Sequence, residues 1–288
     1  MRLTRRAALG AGAAVAAVGA TGALVEYDVL PGRTRAHELL GLNGEDGTVP
    51  EVAAGPVDFG VLESAHVAEP PTWGVVYPPG SSPGDTLPLV VVLHYAGSSA
   101  RGVIDTLGLP QFLAASGARM ALAVVDGGRS YWQAQPDGDS GRMVTDELLP
   151  FLAGRGLQAD RPAWLGWSMG GYGVLRLTAQ RAADGVADGP VLAVSPALWA
   201  DQDDRAEGAF LSVKQYDAAM ALLVEPRATP TRVDCGTGDP FYRDVRELTV
   251  RADIDTRFEP GDHTAGYWRR VLPDQLAWLA AGLPGTAE

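Results

Sequence analysis

The chain is poor in several residue types, and each shortage excludes something. It has one cysteine, Cys235, so neither an internal disulfide nor a cysteine-rich zinc site can form. Cys235 ends the strand-like run Thr231-Arg232-Val233-Asp234-Cys235, where a thiol is expected to be buried rather than reactive. The only lysine is Lys214, arginine supplies the remaining positive charge, and the formal net charge is −12. That sign argues against a nucleic-acid partner, which requires a basic patch. Four histidines, His37, His66, His94 and His263, are all that the chain offers for imidazole chemistry. Internal repeats are absent. The Gly10-Ala11-Gly12 run follows no strand and is not a dinucleotide loop. The acidic run Asp201–Asp204 has no histidine beside it and reads as a solvated face rather than a metal site. No cofactor and no metal are expected.

At 288 residues, with 46% hydrophobic and 20% charged residues, the chain can bury a sizeable core. Its first segment reads as an address. Thr4-Arg5-Arg6 precedes a charge-free, Ala/Gly/Val-rich stretch reaching Val25, so residues 1–25 resemble a twin-arginine export signal or, if uncut, a single membrane anchor. On this reading the protein is exported to the cell envelope or beyond, and it meets a membrane only through that segment. Residues 26–56 are rich in Gly, Pro and charge and read as a linker with one short helix near Thr34–Leu40. Residues 57–288 read as a single folded domain.

In that domain apolar runs alternate with helical patterns, which indicates an α/β fold with a mostly parallel sheet and helices on both faces. The expected strands are Thr72–Tyr77 (early or at an edge), Leu87–His94, Ala118–Val125, Ala163–Trp167, Val191–Val194, Arg232–Cys235 and Ile254–Phe258. The expected helices are Arg101–Ser116, Met143–Leu152, Gly170–Arg181 and Gly266–Leu283. Ser195–Thr231 interrupts the pattern and holds Trp199, Phe210 and Met220, so about residues 196–230 are expected to form a small cap. On such sheets ligands bind beyond the carboxyl ends of the strands.

Gly166-Trp167-Ser168-Met169-Gly170 joins a short apolar run to a helical segment. A serine at such a strand-to-helix turn is strained and projects its hydroxyl into open space, while the following helix aims free N–H groups at it. Ser168 is therefore the candidate nucleophile, and it needs a base. His263, in the loop Glu259-Pro260-Gly261-Asp262-His263-Thr264 between the last strand and the last helix, is the candidate. The orienting acid should lie between the two in the chain. Cys235-Gly236-Thr237-Gly238-Asp239-Pro240-Phe241 supplies Asp239, with Asp234, Asp244, Asp255 and Asp262 as less well-placed rivals. Two backbone donors are needed for an oxyanion. Met169 N–H is one, and Ala96 N–H, with Tyr95 as substitute, is the other. After the expected strand Ala118–Val125, Asp126-Gly127-Gly128-Arg129-Ser130-Tyr131-Trp132 can reach the site. Tyr131 and Trp132, with Tyr95, are expected to line a substrate pocket.

Together Gly-Trp-Ser-Met-Gly-Gly-Tyr-Gly, Cys-Gly-Thr-Gly-Asp-Pro-Phe, Gly-Asp-His and Tyr267-Trp268-Arg269-Arg270 resemble the esterase branch of the α/β-hydrolase superfamily. That branch includes esterase D-like enzymes, feruloyl esterases and antigen 85 mycolyltransferases, and the likeness covers about residues 57–285. It implies an α/β-hydrolase fold and a serine carboxylesterase acting on a small-molecule or lipid ester. Ser168 would be nucleophile, Asp239 acid, His263 base, and Met169 and Ala96 the oxyanion donors. The alternatives are an exported acyltransferase that passes the acyl group to a sugar or lipid alcohol and, less favoured, a non-enzymatic envelope protein. One departure stands out: related esterases have His-Gly after the third strand, whereas this chain has His94-Tyr95.

Overall fold

A computed structural model describes residues 33–284. The export-like segment 1–25 and the first part of the expected linker lie outside the described residues.

The strands form one eight-stranded sheet in the order β1-β2-β4-β3-β7-β8-β9-β10. These are β1 (Val57–Val61), β2 (Thr72–Val76), β3 (Leu87–Leu93), β4 (Ala121–Val125), β7 (Leu157–Trp167), β8 (Val191–Val194), β9 (Thr231–Gly236) and β10 (Asp255–Glu259). β1 and β2 run antiparallel to their neighbours, and the other pairings are parallel. The sequence places Thr72–Tyr77 early or at an edge; β2 is indeed the second strand of the sheet in chain order, and since β1 pairs outside it, it is not an edge. A minor hairpin, β5 (Ala134–Gln135) with β6 (Gly138–Asp139), stands apart.

Strand β3 is buried throughout, as its continuous β-branched run requires. Its residues alternate between two apolar layers. Leu89, Val91 and Leu93 face one, and Val90 and Val92 face the other. The second layer is closed by α2 (Ala100–Leu107), α3 (Leu109–Ser116) and α9 (Ala265–Ala281). The first is closed by a helical run from Ser140 to Gly154, by α6 (Met169–Ala183), by α7 (Val213–Leu223) and by α8 (Tyr242–Arg251). The single helix expected over Arg101–Ser116 is in fact two. Gly108 takes φ 67°, a left-handed value that ends α2, and Pro110 starts α3 in its first turn. The helix expected at Met143–Leu152 contains a π-helical stretch, Met143–Leu148, framed by α4 (Ser140–Arg142) and α5 (Leu149–Gly154). Pro150 has no N–H to give to the carbonyl four residues back, which favours a wider turn there.

The described part of the expected linker is not free of the domain. Its helix α1 (Arg33–Leu39) sets the Arg33 guanidinium over the Tyr242 ring of α8 at 4.2 Å. Further on, a Cβ at Gly55 would overlap the backbone of Tyr77 and Pro78.

One charged group lies deep in the fold. Arg232 and Asp234, two apart on β9, share a face and bond through two N–H···O contacts of 2.6 Å. Gln275 of α9 donates to the same carboxylate at 2.9 Å. Arg232→Met leaves the Asp234 charge buried with only Gln275 as partner. Stability should fall by about 3–5 kcal/mol, and by clearly less when Asp234 is also made apolar. Urea unfolding of the single and double variants measures the difference, and a silent Arg232→Met would contradict it.

Candidate active site

Three strand ends meet at the carboxyl edge of the sheet: β7, β9 and β10. Ser168 directly follows β7 with φ 54° and ψ −117°, outside the ordinary regions for a residue with a side chain. The surrounding backbone holds it there. Its N–H donates to Val194 O at 2.9 Å, and its carbonyl accepts from Tyr172 and Ala197, each at 3.0 Å. The glycines on either side are required by space. A Cβ on Gly170 would collide with the Leu93 carbonyl, and one on Gly166 with the Gly170 carbonyl.

Asp239 follows β9. Its side chain is buried, and its Oδ1 accepts from Phe241 N–H at 2.9 Å. Its Oδ2 lies 2.8 Å from His263 Nδ1. On the other side of the ring, His263 Nε2 lies 2.9 Å from Ser168 Oγ. The imidazole is 23% exposed, enough to exchange protons with water, while the carboxylate behind it is 0% exposed. Phe241 and Trp268 flank the ring edge-to-face, with centroids at 5.3 and 5.2 Å. Trp268 is itself fixed, since its Nε1–H donates to Ser195 Oγ at 3.1 Å. In this arrangement a serine proton can pass to an imidazole whose far N–H is held by a carboxylate. The structure thus brings together the three side chains selected from sequence. Of the rival acids, Asp234 is bound to Arg232, and Asp262 accepts from the backbone N–H of His263 at 2.7 Å rather than from its ring.

Met169 opens α6, where the first N–H groups have no intrahelical acceptor. On the facing loop the sequence reading missed a residue. His94 is fully buried, and its Nε2 accepts from Gly127 N–H at 2.9 Å, so its Nδ1 carries the hydrogen given to Tyr95 O at 2.8 Å. The Tyr95–Ala96 peptide is trans, so a carbonyl tied back to His94 turns the Ala96 N–H the opposite way. The signal was present in the sequence: a histidine ending a buried strand needs polar partners. Burial also pulls the His94 pKa below its ordinary value.

The expected pocket residues divide. Tyr95 is half-buried, with its ring 5.1 Å from that of Trp268. Tyr131 is half-buried too, at φ 53°, with its ring 5.7 Å from Trp199 and 6.2 Å from Tyr172. Trp199 in turn meets Phe241, so Tyr131 belongs to an aromatic wall that ends at His263. Residues 196–230 supply Trp199, Phe210 and Tyr216 to this wall, and α7 packs on α6. Trp132 is a correction. It is 0% exposed, and a Cβ on Gly127 or Gly173 would strike its ring. It fills core and presents no surface to a substrate. The lone cysteine is buried, and burial drives its thiol pKa up, away from reactivity. In the acidic run, Asp201 accepts from Asp203 N–H at 2.9 Å. Among the described residues no three His, Cys, Asp or Glu side chains gather as a metal site, and no helix is long and apolar enough to cross a membrane.

A strained serine between strand and helix, with histidine and acid from later strand ends, defines a serine-hydrolase site on an α/β-hydrolase fold. A family model described as "Putative esterase" matches residues 64–279, and the chain belongs to that esterase family. It is accordingly a carboxylic ester hydrolase. Its fold is similar to that of a ferulic acid esterase (TM-score 0.66, 18% identity, covering 80% of this chain and 99% of that one). It is also similar to an S-formylglutathione hydrolase from Agrobacterium tumefaciens (TM-score 0.66, 16% identity, 83% and 100% covered). A third likeness is to MPT51 (FbpC1) of Mycobacterium tuberculosis (TM-score 0.63, 15% identity, 80% and 100% covered). A search of curated proteins finds no match.

Two predictions follow from these placements. Trp132→Ala should cost about 3–5 kcal/mol of stability, as truncation of a buried indole does, while leaving KM for small esters unchanged in the folded fraction. Denaturation and kinetics on one preparation test it, and a selective rise in KM would restore Trp132 to the pocket. His94 is neutral in the folded state and ordinary when unfolded. Between its lowered folded pKa and about 6.5 the unfolded chain therefore binds more protons, so stability falls as pH drops below about 6.5. His94→Gln should flatten that slope in melting curves taken across the window, and an unchanged slope would refute the assignment.

Proposed function

We propose that this chain is an exported serine carboxylesterase that works through an acyl-enzyme on Ser168. The observation that carries the reading is the unbroken hydrogen-bonded series Ser168–His263–Asp239 at 2.9 and 2.8 Å. Ser168 Oγ attacks the ester carbonyl carbon while its proton moves to His263 Nε2. Asp239, buried and acceptor-only when ionised, holds the ring by its Nδ1–H and stabilises the imidazolium. The carbonyl oxygen gains negative charge between the N–H of Met169 and the N–H of Ala96, the latter aimed by the His94–Tyr95 bond. Collapse of the tetrahedral intermediate breaks the bond to the alcohol oxygen, which leaves with the proton from His263. Water then enters, gives its proton to His263, and releases the acid by the same steps in reverse order. Tyr131 and Tyr95 line the substrate on this reading.

A small-molecule or lipid ester fits the proposal, and an alcohol in place of water would turn the same acyl-enzyme into a transferase. The first half of the reaction is common to both, and only the second nucleophile differs. Export rests on Thr4-Arg5-Arg6 and the apolar stretch to Val25.

Ser168→Ala should lower kcat on p-nitrophenyl esters by about a millionfold, as loss of the nucleophile does in other triads. A fluorophosphonate probe should label the wild-type chain at Ser168 and nowhere on the variant. A variant that retains wild-type turnover would refute the assignment. Product analysis with an added alcohol acceptor separates hydrolysis from transfer.

A further inference from the structure

We infer that residues 43–47, which precede the sheet, are a positioning strap that holds the loops of Asp239 and His263 in register, with Asn43 and Arg270 as its fixings. The inference rests on the catalytic reading of Ser168, His263 and Asp239.

The two loops continue the pairing of β9 with β10 for a short distance, through Thr237 N–H to Glu259 O at 2.8 Å and Gly238 N–H to Gly261 O at 2.7 Å. Asn43 lies across this junction. Its Nδ2 donates to Asp262 Oδ2 at 3.4 Å, and Asp262 Oδ1 accepts from the backbone N–H of His263 at 2.7 Å. Its Oδ1 is buried against Gly238, where a Cβ would overlap it. One amide therefore touches the residue before the acid and the residue before the base. Arg270 of α9 fastens the strap from outside. Its Nη1 donates to the carbonyls of Asn43 at 3.0 Å and Glu45 at 2.6 Å. Its Nη2 donates to the Pro260 carbonyl and, at 3.3 Å, to Glu259 Oε1, both on the chain leading to His263. Gly47 N–H donates to Gly266 O at 2.8 Å, and the Asp46 carboxylate rests on Gly266 in the first turn of α9, the favourable end for a negative charge. Gly44, at φ 73°, lets the strap turn between these fixings.

None of these groups bonds to the ring of His263, the hydroxyl of Ser168 or the carboxylate of Asp239, so the strap acts through placement. Placement matters at this scale, because a displacement of about 1 Å in a reacting group can cost about a hundredfold in rate.

The test compares the full-length wild type with Asn43→Ala, Arg270→Lys and Val49→Ala. Arg270→Lys keeps the charge and loses the fork. Val49 lies two residues beyond the strap and packs at Gly108, on the turn between α2 and α3. Each protein is measured for kcat and KM on p-nitrophenyl acetate, for the rate of fluorophosphonate labelling, and for melting temperature. Asn43→Ala and Arg270→Lys should lower kcat and labelling rate by about tenfold or more, with KM within about twofold. Val49→Ala should lower the melting temperature and leave kcat unchanged. Wild-type kcat and labelling rate in both strap variants, or losses that only track the unfolded fraction, would overturn the strap alone. A wild-type chain that takes no label would overturn the catalytic reading and the strap with it.

Discussion

A single imidazole has to bond in two directions at once, and much of the architecture is arranged around that requirement. His263 reaches Ser168 on one side and Asp239 on the other, and these residues follow three different strands. Neither bond can form by local folding, because the serine lies 95 positions and the acid 24 positions from the histidine. The parallel sheet solves this by ending β7, β9 and β10 at one edge, so that loops far apart in sequence open onto the same rim. The rings of Phe241 and Trp268 then confine the imidazole plane, and Ser195 confines Trp268. A loop histidine would otherwise lose side-chain entropy each time it aligned. Here that cost is met during folding.

The same economy governs the serine. Its positive φ is unfavourable for a residue with a Cβ, and backbone bonds from Val194, Tyr172 and Ala197 hold it in place. The strain points the hydroxyl away from the sheet and brings the start of α6 beneath it. Gly166 and Gly170 are tied to this turn by clearance alone, since the end of β3 passes too close to Gly170 for a methyl group and the Gly170 carbonyl too close to Gly166. The buried His94 then links that strand end to the Gly127 loop, so the two loops that frame the serine are joined by one neutral ring.

Much of this was legible in the sequence because it depends on local chemistry. Gly-x-Ser-x-Gly between a strand and a helix has few structural meanings, and β8 fell at its expected bounds, Val191–Val194. The failures came where a local pattern was overridden from a distance. The strand read as Ala163–Trp167 begins at Leu157, because Asp160 and Arg161 break the apolar run at an irregularity in the ladder, with Leu157 and Gln158 pairing with β3 before it and Ala163 resuming the pairing after it. Gly108 looked tolerable inside a helix until its left-handed φ ended one. Residues 43–47 read as linker because glycine and charge are common in linkers. Composition does not report that Arg270, more than two hundred residues later, takes up their carbonyls.

Trp132 shows the same limit from the opposite side. An aromatic residue just past a Gly-Gly loop at the carboxyl edge of a sheet has the position of a pocket wall. What decides its role is the volume on its far side, and two separated glycines set that volume. Gly127 and Gly173 leave room for the indole ring, and Gly141 lies against its carbonyl. With the ring seated there, Arg176 of α6 donates to that same carbonyl at 3.1 Å, and the indole packs 5.1 Å from His94. A side chain that looked like a substrate contact therefore supports the histidine that aims Tyr95 and Ala96. Its contact is with the ring that holds the Tyr95 carbonyl, not with the open rim. Tyr131, one residue earlier and on the exposed side of the same turn, keeps the place at the rim.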